Sequence, residues 1–304
     1  GFTQIYYGLL KVCDHAGLSS MIGSLAVVLN IALNAVFIFG LVGMPAMGIA
    51  GAALATVCAR IFETIAVIVV VTKYKCPKPG NMLVIKDRQM HKDYWKYTTP
   101  LLVNQIGWGG GVTMYSVIMG HMGSDATAAN SIASIVRTII ASLCWGIAAG
   151  VSIIIGQTLG QNKLEEAKKM GGKFVRLSIW IGAASGLVIL LLIPLVLRVI
   201  TLTPQAMYYL KFMLCMAAYY IIGNSLNSTI ISGIFPAGGD TKFGMICDVV
   251  TLWCFVVPLG MLAAFVWHAP VLLVAFILTL DEFVKIPAVY IHYMKYKWVK
   301  NITR

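Results

Sequence analysis

The sequence predicts an all-α fold, a polytopic membrane helical bundle, and three observations predict it. Of its 304 residues, 59% are hydrophobic and only 11% charged, with a mean hydropathy of +0.86. Soluble domains carry roughly one-quarter charged residues. Second, the apolar runs exceed the roughly 18 residues that mark a spanning helix. Third, the basic residues behind the formal charge of +12 collect in the intervals between those runs. That is the asymmetry of a membrane protein with its basic loops in the cytoplasm, not the basic face of a nucleic-acid binder.

Taken in order, residues 1–10 are apolar and aromatic and lead into Lys11-Val-Cys-Asp-His15, as the last half of a spanning helix would. Full spans are expected at 21–42, 47–72, 98–122, 126–160, 174–198, 206–234, 243–267 and 269–294, about eight in all plus part of one. The interval 73–97 is the most basic, with Lys73, Lys75, Lys78, Lys86, Arg88, Lys92 and Lys96 against Asp87 and Asp93. Placing it in the cytoplasm puts 11–20, 161–173, 235–242 and 295–304 on the same side by alternation. These segments, with Arg176, hold most of the 23 basic residues. The carboxy terminus is then cytoplasmic, and Trp95, Tyr97, Tyr296 and Trp298 fall where interfacial aromatics belong.

A weak parallel repeat relates two units. Leu9-Leu-Lys-Val-Cys-Asp14 precedes a hairpin of spans containing Glu63, and Phe235-Pro-Ala-Gly-Gly-Asp240 precedes another containing Glu282. The organisation expected is two pseudo-symmetric six-helix lobes with the first incomplete: 1–72 its carboxy-terminal part, 73–97 a cytoplasmic basic linker, 98–304 a complete second lobe with a tail. The seven cysteines form no CxxC and no metal-ligand spacing with histidine. Enzyme signatures such as GxSxG, HExxH, a Walker loop or a dinucleotide fingerprint do not occur. The chain is expected to be no enzyme and to need no cofactor beyond a coupling ion, a proton or sodium.

An ionisable side chain in hydrocarbon costs at least ~2.5 kcal/mol, so each one within a span is a candidate for function. They are Arg60, Glu63, Arg137, Lys211, Asp248, Asp281, Glu282 and Lys285. Arg60 with Glu63, and Lys285 with Asp281 and Glu282, sit within a helical turn and can neutralise one another; Lys211 can snorkel. Asp248 has no partner on its own turn and reads equally as a proton carrier facing a cavity or as an interfacial residue. The candidate proton carriers are Asp248, Glu282 and Glu63.

The span at 98–122 holds Pro100, Asn104, Gln105 and Trp108 followed by Gly109-Gly-Gly111. A glycine run weakens a helix by roughly 1 kcal/mol per residue, so a bend beside a cavity is expected, with close helix packing as the alternative. Pairs such as Gly146/Gly150, Gly156/Gly160 and Gly182/Gly186 favour the packing use of glycine. Asn104, Gln105 and Trp108 are the residues expected to line a substrate cavity, where an indole holds cations by its face. Asn30 and Asn34 share a helix face and serve either helix packing or a hard cation.

Several stretches together resemble the multidrug and toxic compound extrusion (MATE) family. They are Asn30-Ile-Ala-Leu-Asn34-Ala-Val-Phe-Ile-Phe-Gly40, Gly48-Ile-Ala-Gly-Ala-Ala-Leu-Ala-Thr56, Gly238-Gly-Asp-Thr-Lys242, and the span from Trp253 to Pro258-Leu-Gly. The resemblance covers the chain from the fourth helix of that twelve-helix fold to its end. It implies two lobes that rock about a central cavity and export organic cations or drugs in exchange for protons or sodium, from a monomer in the bacterial inner membrane. It also implies a cation site in the first lobe with Asn30, Asn34 and Thr56 as members, Gln4, Tyr6 and Tyr7 as looser ones, and an acid on a first helix that lies outside this sequence. A lipid-linked-sugar flippase of the same superfamily and a non-transporting assembly partner are the alternatives. The first would need a more basic cavity than four scattered embedded cations provide.

Overall fold

A chain this apolar has to satisfy its backbone internally, and in lipid the helix does so within one segment. The computed structural model describes residues 2–13, 15–43, 45–74 and 88–300, and all regular structure among them is helical. Most of the basic interval, Lys75 to Asp87 with Cys76, lies outside the described residues, as do Asp14 and the tail from Asn301. The chain divides into two units, Gly1–His91 and Lys92–Arg304.

The first unit contains α1 (Phe2–Val12), α2 (Ala16–Phe39) and α3 (Gly48–Lys73). Helix α2 ends at Gly40, whose φ of +71° is the left-handed cap that glycine accepts without a Cβ penalty. The chain then turns so that the Met47 amide donates to the Phe37 carbonyl at 2.9 Å. Tyr7, Leu10, Ile22, Val67 and Val71 form the core of this unit.

The second unit is built from α4 (Arg88–His121, in this unit from Lys92 on), α5 (Ser124–Gly160), α6 (Leu164–Val199), α7 (Pro204–Ala237), α8 (Thr241–Val266), α9 (Val271–Leu278) and α10 (Asp281–Met294). Thr203 caps α7 by accepting from the Ala206 amide, with Pro204 at the first helical position where its missing N–H is harmless. The connections alternate between two ends of this unit. At one end Thr203 donates to Asp125 at 2.7 Å and His121 stacks on Phe265. At the other, His292 meets Asp240 at 2.7 Å, Lys168 lies over Tyr296, and Thr241 donates to the Tyr97 carbonyl. Trp298 is buried at this second end rather than placed among interfacial groups, because it fills a niche between Gly171, Gly238 and Tyr293.

Six described helices are long and apolar enough to cross a membrane. The two other expected spans differ for identifiable reasons. Helix α4 covers the expected span as far as His121, but its amides and glycines dilute its hydropathy. The expected span 269–294 is broken: α9 stops at Leu278, Thr279 and Leu280 turn, and α10 starts at Asp281. Helix α7 relaxes into π-helical geometry over Ser228–Ile234, and α8 does so over Thr251–Val256 and Leu262–Val266. Such widened turns frequently sit at functional sites.

Helix α4 runs without interruption through the glycine run. Gly107, Gly110 and Gly111 instead seat Val249, Trp253 and Leu252 of α8, and the Trp253 indole donates to the Gly107 carbonyl at 3.0 Å. The packing alternative therefore describes this run better than a bend. Gly182 and Gly186 likewise press on α7, whereas Gly146, Gly150 and Gly156 meet nothing. A Cβ at Gly186 would stand 2.7 Å from the Ala218 carbonyl oxygen, a backbone atom that cannot swing aside. Gly186→Ala is expected to cost about 1–3 kcal/mol by overpacking, read as a lower thermal midpoint in detergent. An unchanged midpoint would contradict so close an approach of α6 to α7.

Candidate functional site

Two apolar clusters fill the ends of the second unit, one around Ile118, Leu214, Ala263 and Val274, the other around Ile155, Ile230, Phe235 and Trp298. Along the helices the polar residues fall between them. Four helices contribute: Asn104 from α4, Tyr220, Asn224 and Asn227 from α7, Asp248 from α8, and Glu282 and Lys285 from α10.

Lys285 is the hub. Its Nζ lies 2.9 Å from Asp248 Oδ1 and 3.1 Å from Glu282 Oε2, and all three side chains are largely buried. The i,i+3 spacing of Glu282 and Lys285 places them one above the other on α10. Asp248 reaches the same ammonium from another helix. Around this core Asn104 donates to Asp248 Oδ2 at 3.0 Å, Tyr220 and Asn224 donate to Glu282 Oε1 at 3.2 and 3.1 Å, and Asn227 donates to Glu282 Oε2 at 2.8 Å. Asn227 also donates to the Glu282 main-chain carbonyl at 2.7 Å. A buried carboxylate is tolerable only when paired and hydrogen-bonded in this way. The first turn of α10 adds the positive end of a helix dipole beneath it.

The cluster forms one wall of a cavity of about 410 Å³ that is also lined by Gln105, Trp108, Trp145 and Ser228. Trp108 and Trp145 meet edge to face with centroids 6.1 Å apart. The amide oxygens of Asn104, Asn224 and Asn227 are buried there without a protein donor. The site thus presents two carboxylates against one ammonium, indole surface, and free amide oxygens.

The sequence-derived candidates separate into two groups. Asn104, Gln105, Trp108, Asp248 and Glu282 all line this one cavity. The sequence left Asp248 without a partner and gave Lys285 two neighbours on its own helix; Lys285 in fact takes Glu282 and Asp248, while Asp281 is buried with its Oδ1 unpartnered. In the first unit Glu63 is buried, ion-paired to Arg60 and bonded by the Tyr7 hydroxyl at 2.8 Å. Asn34 donates to Asn30 at 3.1 Å and keeps a buried Oδ1 without a donor, whereas exposed Thr56 bonds only its own helix at the Ala52 carbonyl. Lys211 is exposed. Asn224, Asn227 and Tyr220 escaped the sequence reading, although Asn224 and Asn227, three residues apart, repeat the same-face amide pattern of Asn30 and Asn34.

Fold and site together define a polytopic helical membrane protein with a charged internal cavity, and comparison places it more closely. The family model MatE matches residues 100–294, and the chain belongs to this family, whose members are membrane transporters and not enzymes. The uncharacterised transporter YisQ of Bacillus subtilis (strain 168) is 28% identical over 239 residues, covering 77% of this chain and 52% of that protein. The probable multidrug resistance protein YoeA of the same organism is 28% identical over 77% of this chain and 51% of its own length. The chain spans about half the length of the curated relatives it matches. Among solved structures, a variant of the MATE transporter VcmN of Vibrio cholerae superposes with a TM-score of 0.83 at 17% identity, over 96% of this chain and 65% of that one. A MOP superfamily transporter from Pyrococcus furiosus superposes with a TM-score of 0.85 at 16% identity, over 98% and 66%. At these identities the likeness concerns the fold.

Proposed function

We propose that the full-length protein exports organic cations or drugs across a bacterial inner membrane, with its carboxy terminus in the cytoplasm, driven by exchange with protons or sodium. The observation that carries this reading is the sign and surface of the cavity: the carboxylates of Asp248 and Glu282 outnumber the ammonium of Lys285 beside two indoles. Amphipathic cations suit such a site by charge and by cation–π contact. A pyrophosphate-bearing lipid does not, which disfavours the flippase alternative. The names of YoeA and of the other multidrug resistance relatives point the same way.

In this reading Lys285 is a tethered cation that holds both carboxylates while the cavity is empty. An organic cation or a coupling ion competes with it, and the change in pairing re-seats α10 against α7 and α8. Alternating access then follows from movement of one lobe against the other. The test uses the full-length protein in liposomes with an imposed proton or sodium gradient and a fluorescent organic cation. Gradient-driven movement of the dye is expected, with Glu282→Gln lowering the rate by about 100-fold, the scale of losing a charged group that acts in the cycle. Dye movement indifferent to both gradients would sink the reading.

A further inference from the structure

A second, smaller cavity lies in the same unit and is not part of the site above. Its volume is about 90 Å³, room for several waters, and its polar lining is Tyr115, Ser116, Asn130, Ser134, Arg137 and Thr279. Its position along the helices is regular. On α4 the larger cavity takes residues 104–108 and the smaller 112–119; on α5 they take 145–149 and 130–137; on α7, 224–232 and 213–217. Across the helix break the larger cavity takes Glu282 and Lys285 of α10, and the smaller takes Ala275, Leu278 and Thr279. The two are stacked along the bundle axis, with the smaller towards the end where Thr203 meets Asp125.

Between them stand Tyr220 and Asp281. The Tyr220 hydroxyl donates to Glu282 Oε1 at 3.2 Å, and the Arg137 guanidinium lies 4.9 Å from the Tyr220 ring centre. Arg137 has no ion pair among the described residues. Two further polar atoms on this side, Asp281 Oδ1 and Tyr115 Oη, are buried without a protein partner. Buried groups of this kind are normally satisfied by ordered water. An apolar helix interior would need none of these groups, and each is costly at membrane depth.

We propose that the smaller cavity is a hydrated proton vestibule, so that protons reach Glu282 from one face of the helix break while the organic cation reaches it from the other. An excess proton carried in on vestibule water as hydronium passes to the Tyr220 oxygen as the Tyr220 hydroxyl proton passes to Glu282 Oε1, leaving a neutral water, an unchanged Tyr220 and a protonated Glu282. Glu282 then releases its hold on Lys285, which stays paired with Asp248. Asn224 and Asn227 of α7 orient the carboxylate, and Arg137 of α5, Tyr115 of α4 and Asp281 of α10 set the charge on the vestibule side. Because the two entrances are separate, a bound organic cation need not block the proton. This rests on Glu282 being the carboxylate that exchanges ions in the transport cycle.

The test fills the vestibule without touching the larger cavity. In the full-length protein in liposomes, Ser134→Leu is expected to bind a fluorescent organic cation within about twofold of wild type. Its proton-gradient-driven exchange should fall by about tenfold or more, and Tyr220→Phe, which removes only a hydroxyl, should slow the same exchange to a similar extent. Undiminished exchange in both variants, or wild-type exchange driven by sodium alone, would overturn the proposal. Should Ser134→Leu fail to bind dye at all, Ser134→Cys decides, in a chain relieved of its native cysteines. A hydrophilic methanethiosulfonate reagent is expected to modify it about 100-fold faster than Ile140→Cys, which is packed between helices, since thiolates react only where water reaches. Equal rates would overturn the vestibule. Wild-type exchange indifferent to every gradient, with Ser134→Cys still labelled rapidly, would instead count against the transport reading and leave the hydrated cavity standing.

Discussion

Lys285→Met is expected to lower the thermal midpoint of the detergent-solubilised protein by on the order of 10 °C, more than any other single change in the cavity. Lys285 is 8% exposed and bonds two carboxylates from two helices. Methionine keeps the stem and removes the charge, which leaves Asp248 and Glu282 facing each other with only amide and hydroxyl donors. Removing one partner of a buried ion pair costs about 3–5 kcal/mol, because the remaining charge stays desolvated. For domains of 150–250 residues each kcal/mol moves the midpoint by roughly 2–4 °C. Adding Asp248→Asn to Lys285→Met should recover part of the loss, since the pair couples directly and single effects at coupled sites do not add. A saturating organic cation should also raise the midpoint further in Lys285→Met than in wild type, because it then meets no tethered competitor. A Lys285→Met midpoint within about 2 °C of wild type would remove the ammonium from the centre of the site, by the same scaling.

The hub shows which parts of the molecule were legible in the sequence. Most helix positions were, the broken span at 269–294 excepted, because a bilayer dictates the length of an apolar run and its loops carry the charge. That Asn104, Gln105, Trp108, Asp248 and Glu282, which line one cavity, are candidates was legible for a related reason: polar groups at membrane depth stand out against their surroundings. Their partners were not. The sequence shows neighbours on one helix, so Lys285 invites pairing with Asp281 and Glu282 equally. Which face of α10 meets α8 is decided by packing, and that packing delivers Asp248 from 37 residues away while leaving Asp281 Oδ1 without a donor. The glycines of α4 were ambiguous in the same way. A missing side chain signals either flexibility or room for a neighbour, and only Trp253 and Leu252 lying against Gly110 and Gly111 settle which. The break at Thr279 left a fainter trace: two adjacent acids in the middle of an apolar run, where a fresh helix start can place them beside its positive end.

At the far end of the same unit, Trp298→Ala is expected to lower stability about as much as the loss of the hub lysine, by a different mechanism. Trp298 is completely buried, stacks on Tyr293 with ring planes 12° apart, and donates its indole N–H to the Tyr293 carbonyl at 3.2 Å. Gly171 of α6 and Gly238, after α7, close the niche; a Cβ at Gly238 would fall 1.8 Å from the Trp298 carbonyl oxygen. The chain after α10 is therefore a strap that ties the start of α6 and the α7–α8 turn to the end of the helix carrying Glu282 and Lys285. Truncating a buried tryptophan to alanine costs about 3–5 kcal/mol, so the midpoint should again fall by on the order of 10 °C, while Trp298→Phe, which keeps most of the ring, should recover over half. Gly238→Ala should reproduce the loss without removing any apolar area, because it lifts the strap off its seat. If the strap also holds α10 in register with α7, the variants that survive purification should show weaker organic-cation binding as well, although Trp298 itself lines neither cavity. Normal midpoints in both Trp298→Ala and Gly238→Ala would mean that the strap is dispensable and that α10 is held by its charged cluster alone.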